Sequence, residues 1–147
     1  MAALPQGGED EVFAPPAHPF VPLAGHGRAL AVVALGGVLG AAARYGVGLL
    51  LPHAPGTFPL GTLLINVVGG FLIGVLIHAV AARPLLRPFA VTGILGGFTT
   101  FSTYAVDAEQ LLAAGRLATA GAYLVGTLAG ALAATWLGLS LARLVRR

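Results

Sequence analysis

From Leu60 to Ala82 the chain carries no Asp, Glu, Lys or Arg, and no other feature limits the fold so tightly. The stretch is longer than the roughly 20 apolar residues that carry a helix across a bilayer. Three further segments of the same kind, at about 29–51, 89–113 and 117–142, bring the number to four. In lipid every backbone N–H and C=O must find a partner inside the protein, so spanning segments are helices or closed barrels. Segments of this length and uniform apolarity are helices. The composition agrees: 57% of residues are hydrophobic and 9% charged, whereas soluble domains carry roughly 25% charged residues. The expected fold is an all-α integral membrane domain of four helices over residues 28–147. Residues 1–27 contrast with it. Five prolines and the acidic run Glu9-Asp10-Glu11 make a tail that cannot bury a core, and disorder is expected there. That tail lacks the basic start and small-residue cleavage site of a secretory signal.

Every basic residue is an arginine, and their placement has a direction. Four spans put both termini on one side, together with Arg28, Arg83, Arg87, Arg143, Arg146 and Arg147. The opposite loops hold only Arg116, and Arg44 lies within the first span. The positive-inside rule then predicts cytoplasmic termini. A net charge of +3 and a pI near 10.2 reflect these interfacial arginines rather than a nucleic-acid footprint. With no Cys, thiolate chemistry and disulfides are excluded. His18, His26, His53 and His78 fall in the tail, a loop or helix ends without metal-ligand spacing. No nucleophile has a base beside it, and no carboxylate pair occurs in the first two spans, so nothing here suggests an enzyme.

The third segment contains GGFTTFSTY, Gly96 to Tyr104. Glycine weakens a helix, and Ser and Thr offer the backbone competing hydrogen bonds. Two glycines followed by Thr99, Thr100, Ser102 and Thr103 favour a true interruption, with helix ending at about Gly96 and resuming at about Tyr104. The alternative is a kinked helix whose hydroxyls bond back to their own carbonyls. A break in a membrane helix frees carbonyls able to hold a cation and a half-helix N-terminus able to attract an anion.

Other polar groups lie at membrane depth. Asn66 brings an amide where an unpaired polar group is costly, and a helix-to-helix hydrogen bond would equally explain it. Thr119, Tyr123, Thr127 and Thr135 recur at steps of four or eight along the uncharged fourth segment, which keeps them near one face. Uncharged donors suit a small anion that must pass without being trapped, although harmless back-bonding would leave the same stripe. Arg44 lies about 10 Å from the end of its helix, counting 1.5 Å per residue. It can snorkel, pair structurally, or line an anion-attracting vestibule. Asp107 sits one turn beyond the break, where it could line a pore mouth or serve as a structural charge. A GxxxG pair marks each span: Gly36/Gly40, Gly70/Gly74, Gly93/Gly97 and Gly126/Gly130. Small residues four apart let helix backbones approach closely.

GGVLGAAARY (Gly36–Tyr45), GTLLINVVGGFLIG (Gly61–Gly74) and GILGGFTTFSTY (Gly93–Tyr104) stand in the order and spacing of the CrcB/Fluc fluoride channel family. The chain resembles that family over about residues 30–142. The resemblance implies a four-helix subunit of a bacterial plasma membrane, its third helix broken mid-membrane, paired antiparallel with a second subunit around two narrow fluoride pathways. It implies passive export of fluoride from the cytoplasm, relieving fluoride toxicity. Asn66, Phe101, Ser102, Thr103, Tyr104, Tyr123 and Thr127 would form the pathway. Arg44 and Asp107 match the family's arginine and its acidic residue. A structural Na+ would be held by the main-chain carbonyls of Gly96 and Thr99. No organic cofactor and no nucleic acid are expected, and membrane lipid is the surrounding partner.

Three departures stand out. Tyr104 replaces a usual Phe, and Asp107 is one methylene shorter than the usual Glu. The arginine bias differs from the near balance of dual-topology members, and raises the expectation of one-way insertion with an oppositely oriented paralogue as partner. Two other readings were weighed. A small multidrug-resistance-type, proton-coupled transporter would need a carboxylate in the first span, where this chain has only Arg44. A non-transporting membrane assembly protein would account for the GxxxG pairs but leave the polar track without a purpose.

Overall fold

The structure, a computed structural model, describes residues 26–145. The expected disordered tail, His18, and the terminal Arg146 and Arg147 lie outside those residues. Helix α1 (Gly27–Leu50) ends where Leu51 bonds back to the Val47 carbonyl, and Pro52 disfavours helical geometry in the residue before it. The loop from Leu51 leads to Pro59, which precedes α2 (Leu60–Ala79). A short turn through Arg83 runs into helix at Leu86–Arg87, and the third span continues from Pro88. That span has two parts. Helix α3 is wound as a π-helix over Pro88–Leu95 and continues through one α turn, Gly96–Phe98; α4 covers Ser102–Ala113. Helix α5 (Leu117–Val145) completes the bundle. All four spans are long and apolar enough to cross a membrane.

The turn between α4 and α5 follows the left-handed glycine stop. Gly115 has φ of +72°, its N–H bonds to the Leu112 carbonyl, and the Arg116 N–H bonds to that of Leu111. These are the two hydrogen bonds of a Schellman motif. Arg116 then donates from Nη1 to the Gly56 carbonyl at 3.0 Å, tying this turn to the α1–α2 loop at the same end of the bundle.

Two backbone-close helix pairs make the scaffold. In the first, Gly36 and Gly40 of α1 meet Gly93 and the Ile94 and Phe98 backbone of α3, while Gly97 faces Gly37. In the second, Gly70 and Gly74 of α2 face Ala131, Thr135 and Gly138 of α5. A methyl group on Gly36, Gly40, Gly74, Gly97 or Gly138 would run into partner backbone. Three of the four expected GxxxG pairs are therefore helix contacts. The fourth is not: Gly126 has open space beside it, and Gly130 touches only the Val67 side chain. Helix α5 presents Gly138 to the scaffold instead, so the contact face lies further along the helix than the motif suggested.

Large apolar side chains point outward from every span, among them Leu35, Leu39, Val125, Leu132 and Trp136. The largest buried side chains are Tyr123, Leu111 and Pro59. The main side-chain cluster thus lies where α4 packs on α5, with Leu63 of α2 against it.

Candidate functional site

The third span is broken at Thr99-Thr100-Phe101, a shorter gap than the sequence suggested. Thr99 is extended (φ −70°, ψ 155°), and its hydroxyl and N–H both bond to the Leu95 carbonyl, at 2.9 and 3.0 Å. Helix therefore persists through Phe98, past the expected end at Gly96. On the far side the Thr100 hydroxyl accepts the Thr103 N–H at 3.1 Å, satisfying a donor that the helix leaves free. This lets α4 begin at Ser102, two residues ahead of the expected Tyr104.

Two side chains from neighbouring helices hold the gap. Asn66 of α2 accepts the Thr100 N–H at 2.9 Å and donates to the Thr100 carbonyl at 3.0 Å. It acts as a substitute peptide group, answering both orphan groups of one residue. Only one of its two amide hydrogens is used that way. Arg44 of α1 reaches from the other side and donates from Nε to the Gly97 carbonyl at 3.1 Å. Arg44 thus pairs with backbone, and it also lines a cavity beside the gap. Neither the Gly96 nor the Thr99 carbonyl accepts a hydrogen bond from any described residue.

An aromatic ladder climbs from the gap toward the α1–α2 loop. Ring centroids are 5.8 Å apart for Phe101 and Tyr104, 5.3 Å for Tyr104 and Tyr123, and 5.8 Å, edge on, for Tyr123 and Phe58. The Tyr104 hydroxyl is spent on the Leu124 carbonyl at 2.9 Å, so its ring edge remains available while the extra oxygen anchors α4 to α5. Phe101 is the opposite, 79% exposed at the subunit surface.

Asp107 lies on the same helix as Tyr104, one turn further on. It is only 5% exposed. Its Oδ2 accepts the Thr62 hydroxyl at 2.6 Å and the Tyr123 hydroxyl at 3.2 Å. Its Oδ1 is 3.2 Å from Nε2 of His53, a contact that is an ion pair only with the imidazole protonated. Of the two expected roles for Asp107, a pore-mouth or vestibule charge and a structural charge, its burial in a four-residue polar cluster fits the structural one.

Two cavities flank the gap and share Thr100 as a wall. One, about 400 Å³, is lined by Asn66, Phe101, Tyr104 and Thr127, with Thr99 and Thr135. Thr127 is 3% exposed, and its Oγ1 is buried without a hydrogen-bond partner. Thr135, four residues further from the loop end than Ala131, bonds back to the Ala131 carbonyl at 2.8 Å. The hydroxyl stripe therefore divides: Thr135 back-bonds harmlessly and Thr127 does not. The second cavity, about 550 Å³, is lined by Arg44, Tyr45, His53, Thr62 and Thr103 among others. Asn66, Phe101, Tyr104 and Thr127 are thus brought together, while Thr103 joins Arg44. Tyr123 and Asp107 are buried and line neither cavity, and Ser102 is exposed, with its oxygen 3.3 Å from that of Thr100.

The sequence assigns no site role to His53, Thr62 or Thr100. Thr62 stands four residues before Asn66, on the same face of α2, a signal that was available. His53 and Asp107 are 54 positions apart, and no local pattern connects them.

Geometry defines a class first: a multi-pass α-helical membrane protein with an interrupted third span and an uncharged, donor-lined cavity at the interruption. Comparison with known proteins then gives the family. The family described as CrcB-like protein, Camphor Resistance (CrcB), matches residues 31–139, and the chain belongs to it. It is 52% identical over 120 residues to fluoride-specific ion channel FluC 1 of Streptomyces coelicolor, covering 79% of this chain and 78% of that protein. To fluoride-specific ion channel FluC 2 of Streptomyces avermitilis it is 53% identical over 109 residues, covering 70% and 69%. To the fluoride-specific ion channel FluC of Paracoccus denitrificans the identity is 48% over 113 residues, covering 76% and 91%.

Proposed function

We propose that this chain is the subunit of a fluoride-selective channel, not an enzyme, that lets fluoride leave the cytoplasm passively across a bacterial plasma membrane and so relieves its toxicity. The observation that carries the proposal is the buried, unpartnered Thr127 hydroxyl in a cavity that also holds Asn66 and the rings of Phe101 and Tyr104. A buried hydroxyl without a partner is costly and calls for a ligand. The same cavity is lined by Asn66, which has an amide hydrogen to spare, and by Phe101 and Tyr104, whose ring edges carry partial positive charge. Such a set replaces the hydration of a small anion without holding it by a formal charge. The names of the relatives supply fluoride as that anion.

Two further parts belong to the proposal. Phe101 faces outward, which suits a wall completed by a second subunit packed antiparallel. The arginine bias supports an oppositely oriented paralogue in that place. The free carbonyls of Gly96 and Thr99 fit a hard monovalent cation, since unwound backbone oxygens are the ligands Na+ takes in broken membrane helices. Na+ bound there would supply fixed positive charge to hold the break in shape.

The test is anion efflux from liposomes containing the purified protein, followed with fluoride and chloride electrodes in parallel. Fluoride efflux without chloride efflux is expected. Equal efflux of both anions, or none even with a neighbouring paralogue co-expressed, would remove the proposal. Activity of this gene product alone would remove the paralogue, and undiminished flux with all Na+ replaced by N-methylglucamine would remove the structural ion.

A further inference from the structure

We infer that Thr100 is a further ion-contacting residue, its hydroxyl passing the anion between the two cavities that flank the gap. The inference rests on the fluoride-channel reading and extends the path from the cavity of Asn66 and Thr127 into the one lined by Arg44.

The two cavities lie on either side of one thin wall. Chain neighbours divide between them: Ile65 and Thr103 line the larger, Asn66 and Tyr104 the smaller. Among the described residues only Thr100 lines both. Each cavity reaches the subunit surface, the larger beside Tyr45 and Leu49 and the smaller beside Leu128 and Leu132, all of them exposed. An anion in one cavity therefore has Thr100 between it and the other.

The backbone of Thr100 is fixed by Asn66, but its hydroxyl hydrogen is not tied to one acceptor. The oxygen accepts the Thr103 N–H at 3.1 Å, which anchors it. Its hydrogen has the Thr103 oxygen at 3.0 Å and the Ser102 oxygen at 3.3 Å within reach. A hydroxyl carries one hydrogen and two lone pairs, so rotation about the Cβ–Oγ1 bond redirects the hydrogen while the oxygen stays in place. Fluoride at the wall is one more acceptor for it. Thr100 is only 9% exposed, so an ion there has shed water and depends on such a donor. Beyond the wall the Thr103 hydroxyl and Arg44 line the larger cavity, a donor and a positive charge to receive the ion.

The experiment measures fluoride flux from liposomes against fluoride concentration. Thr100→Ser keeps the hydroxyl and should stay within about twofold of the wild type. Thr100→Val should lower flux at least about tenfold and raise the half-saturating fluoride concentration, the order of one lost hydrogen bond to a charged group. Thr100→Asp separates ion contact from capping of α4: Asp caps a helix at least as well as Thr but brings a negative charge and no donor, and flux should be lost. Gly48 lines the larger cavity, and a Cβ there meets nothing within 4 Å. Gly48→Trp fills that cavity and should also cost at least about tenfold. Gly46→Trp, equally free of neighbours and outside the cavity, should not. Wild-type flux in Thr100→Val, Thr100→Asp or Gly48→Trp overturns the inference. Should a Thr100 variant fail to fold, Gly48→Trp and the remaining one still decide it. Absence of fluoride flux from the wild type itself would overturn the channel reading, which separates the two failures.

Discussion

The two halves of the third span are held by opposite means. Helix α3 packs on α1 backbone against backbone, through Gly36, Gly40, Gly93 and Gly97, with scarcely a side chain between them. Helix α4 packs on α5 through side chains: Leu111, Tyr123, Tyr104 and the polar cluster around Asp107. In lipid the first arrangement gains from close dispersion contact and tolerates no added volume. The second holds polar groups in fixed positions and leaves cavities beside them. The difference teaches that one half of the span is a fixed wall, and the other an arrangement of side chains that fixes polar groups in place.

The comparison can be broken most severely at its glycine half. Gly40→Leu places a branched side chain where even a methyl meets the Ile94 carbonyl, and the expected outcome is no monodisperse protein on size-exclusion chromatography. Gly46→Leu on the same helix, where nothing lies within reach, should purify like the wild type. Equal behaviour of the two variants would show that backbone contact is not what joins α1 to α3.

Next comes the joint between the halves. Asn66→Leu strips both partners from the Thr100 backbone, each loss costing about 1–3 kcal/mol when the group stays buried. A large fall in thermal stability in detergent, with loss of fluoride flux, is expected. A variant as stable as the wild type would mean that Asn66 does not hold the gap.

Phe101→Ala separates folding from function. The ring is mostly exposed on the subunit, so subunit stability should change by no more than about 0.5 kcal/mol, while fluoride flux falls at least tenfold. Retained flux would take Phe101 off the path.

The smallest effect is expected at Tyr104→Phe. It removes the hydroxyl bond to Leu124 and keeps the ring, costing about 1 kcal/mol and leaving flux within a few-fold. A collapse of flux would show that the hydroxyl, and not the ring edge, meets the ion.

Much of the glycine half was legible in the sequence, and less of the other. Spans follow from uninterrupted apolar length, and the gap follows from Gly96-Gly97 and the hydroxyls beside it, because both are local properties of the chain. Gly36, Gly40, Gly93 and Gly97 could be recognised since helical spacing alone sets their common face. The partners of the polar groups are another matter. Asn66 reads as an amide at an expensive depth, but that it answers Thr100 depends on how α2 lies against α3. The Tyr104 hydroxyl could as well have faced the path as Leu124. His53 pairs with Asp107 only because the loop after α1 folds back over α4, a geometry that Arg116 and Gly56 help to fix. Gly126/Gly130 had the right spacing on the wrong face, since a motif states which residues share a side and not which side has a neighbour.

The pairing of Asn66 with Thr100 has a consequence for the order of assembly. A third span entering the bilayer alone has no partner for the Thr100 peptide groups except its own helix, so the newly inserted segment is at its most stable unbroken. Only when the second span comes alongside, with its amide at the right height, does parting the chain at Thr99 become favourable. The gap is in this sense prepared locally by the glycines and hydroxyls but completed by docking, and a second span misplaced would leave the Thr100 peptide groups without the partner that holds the parting open.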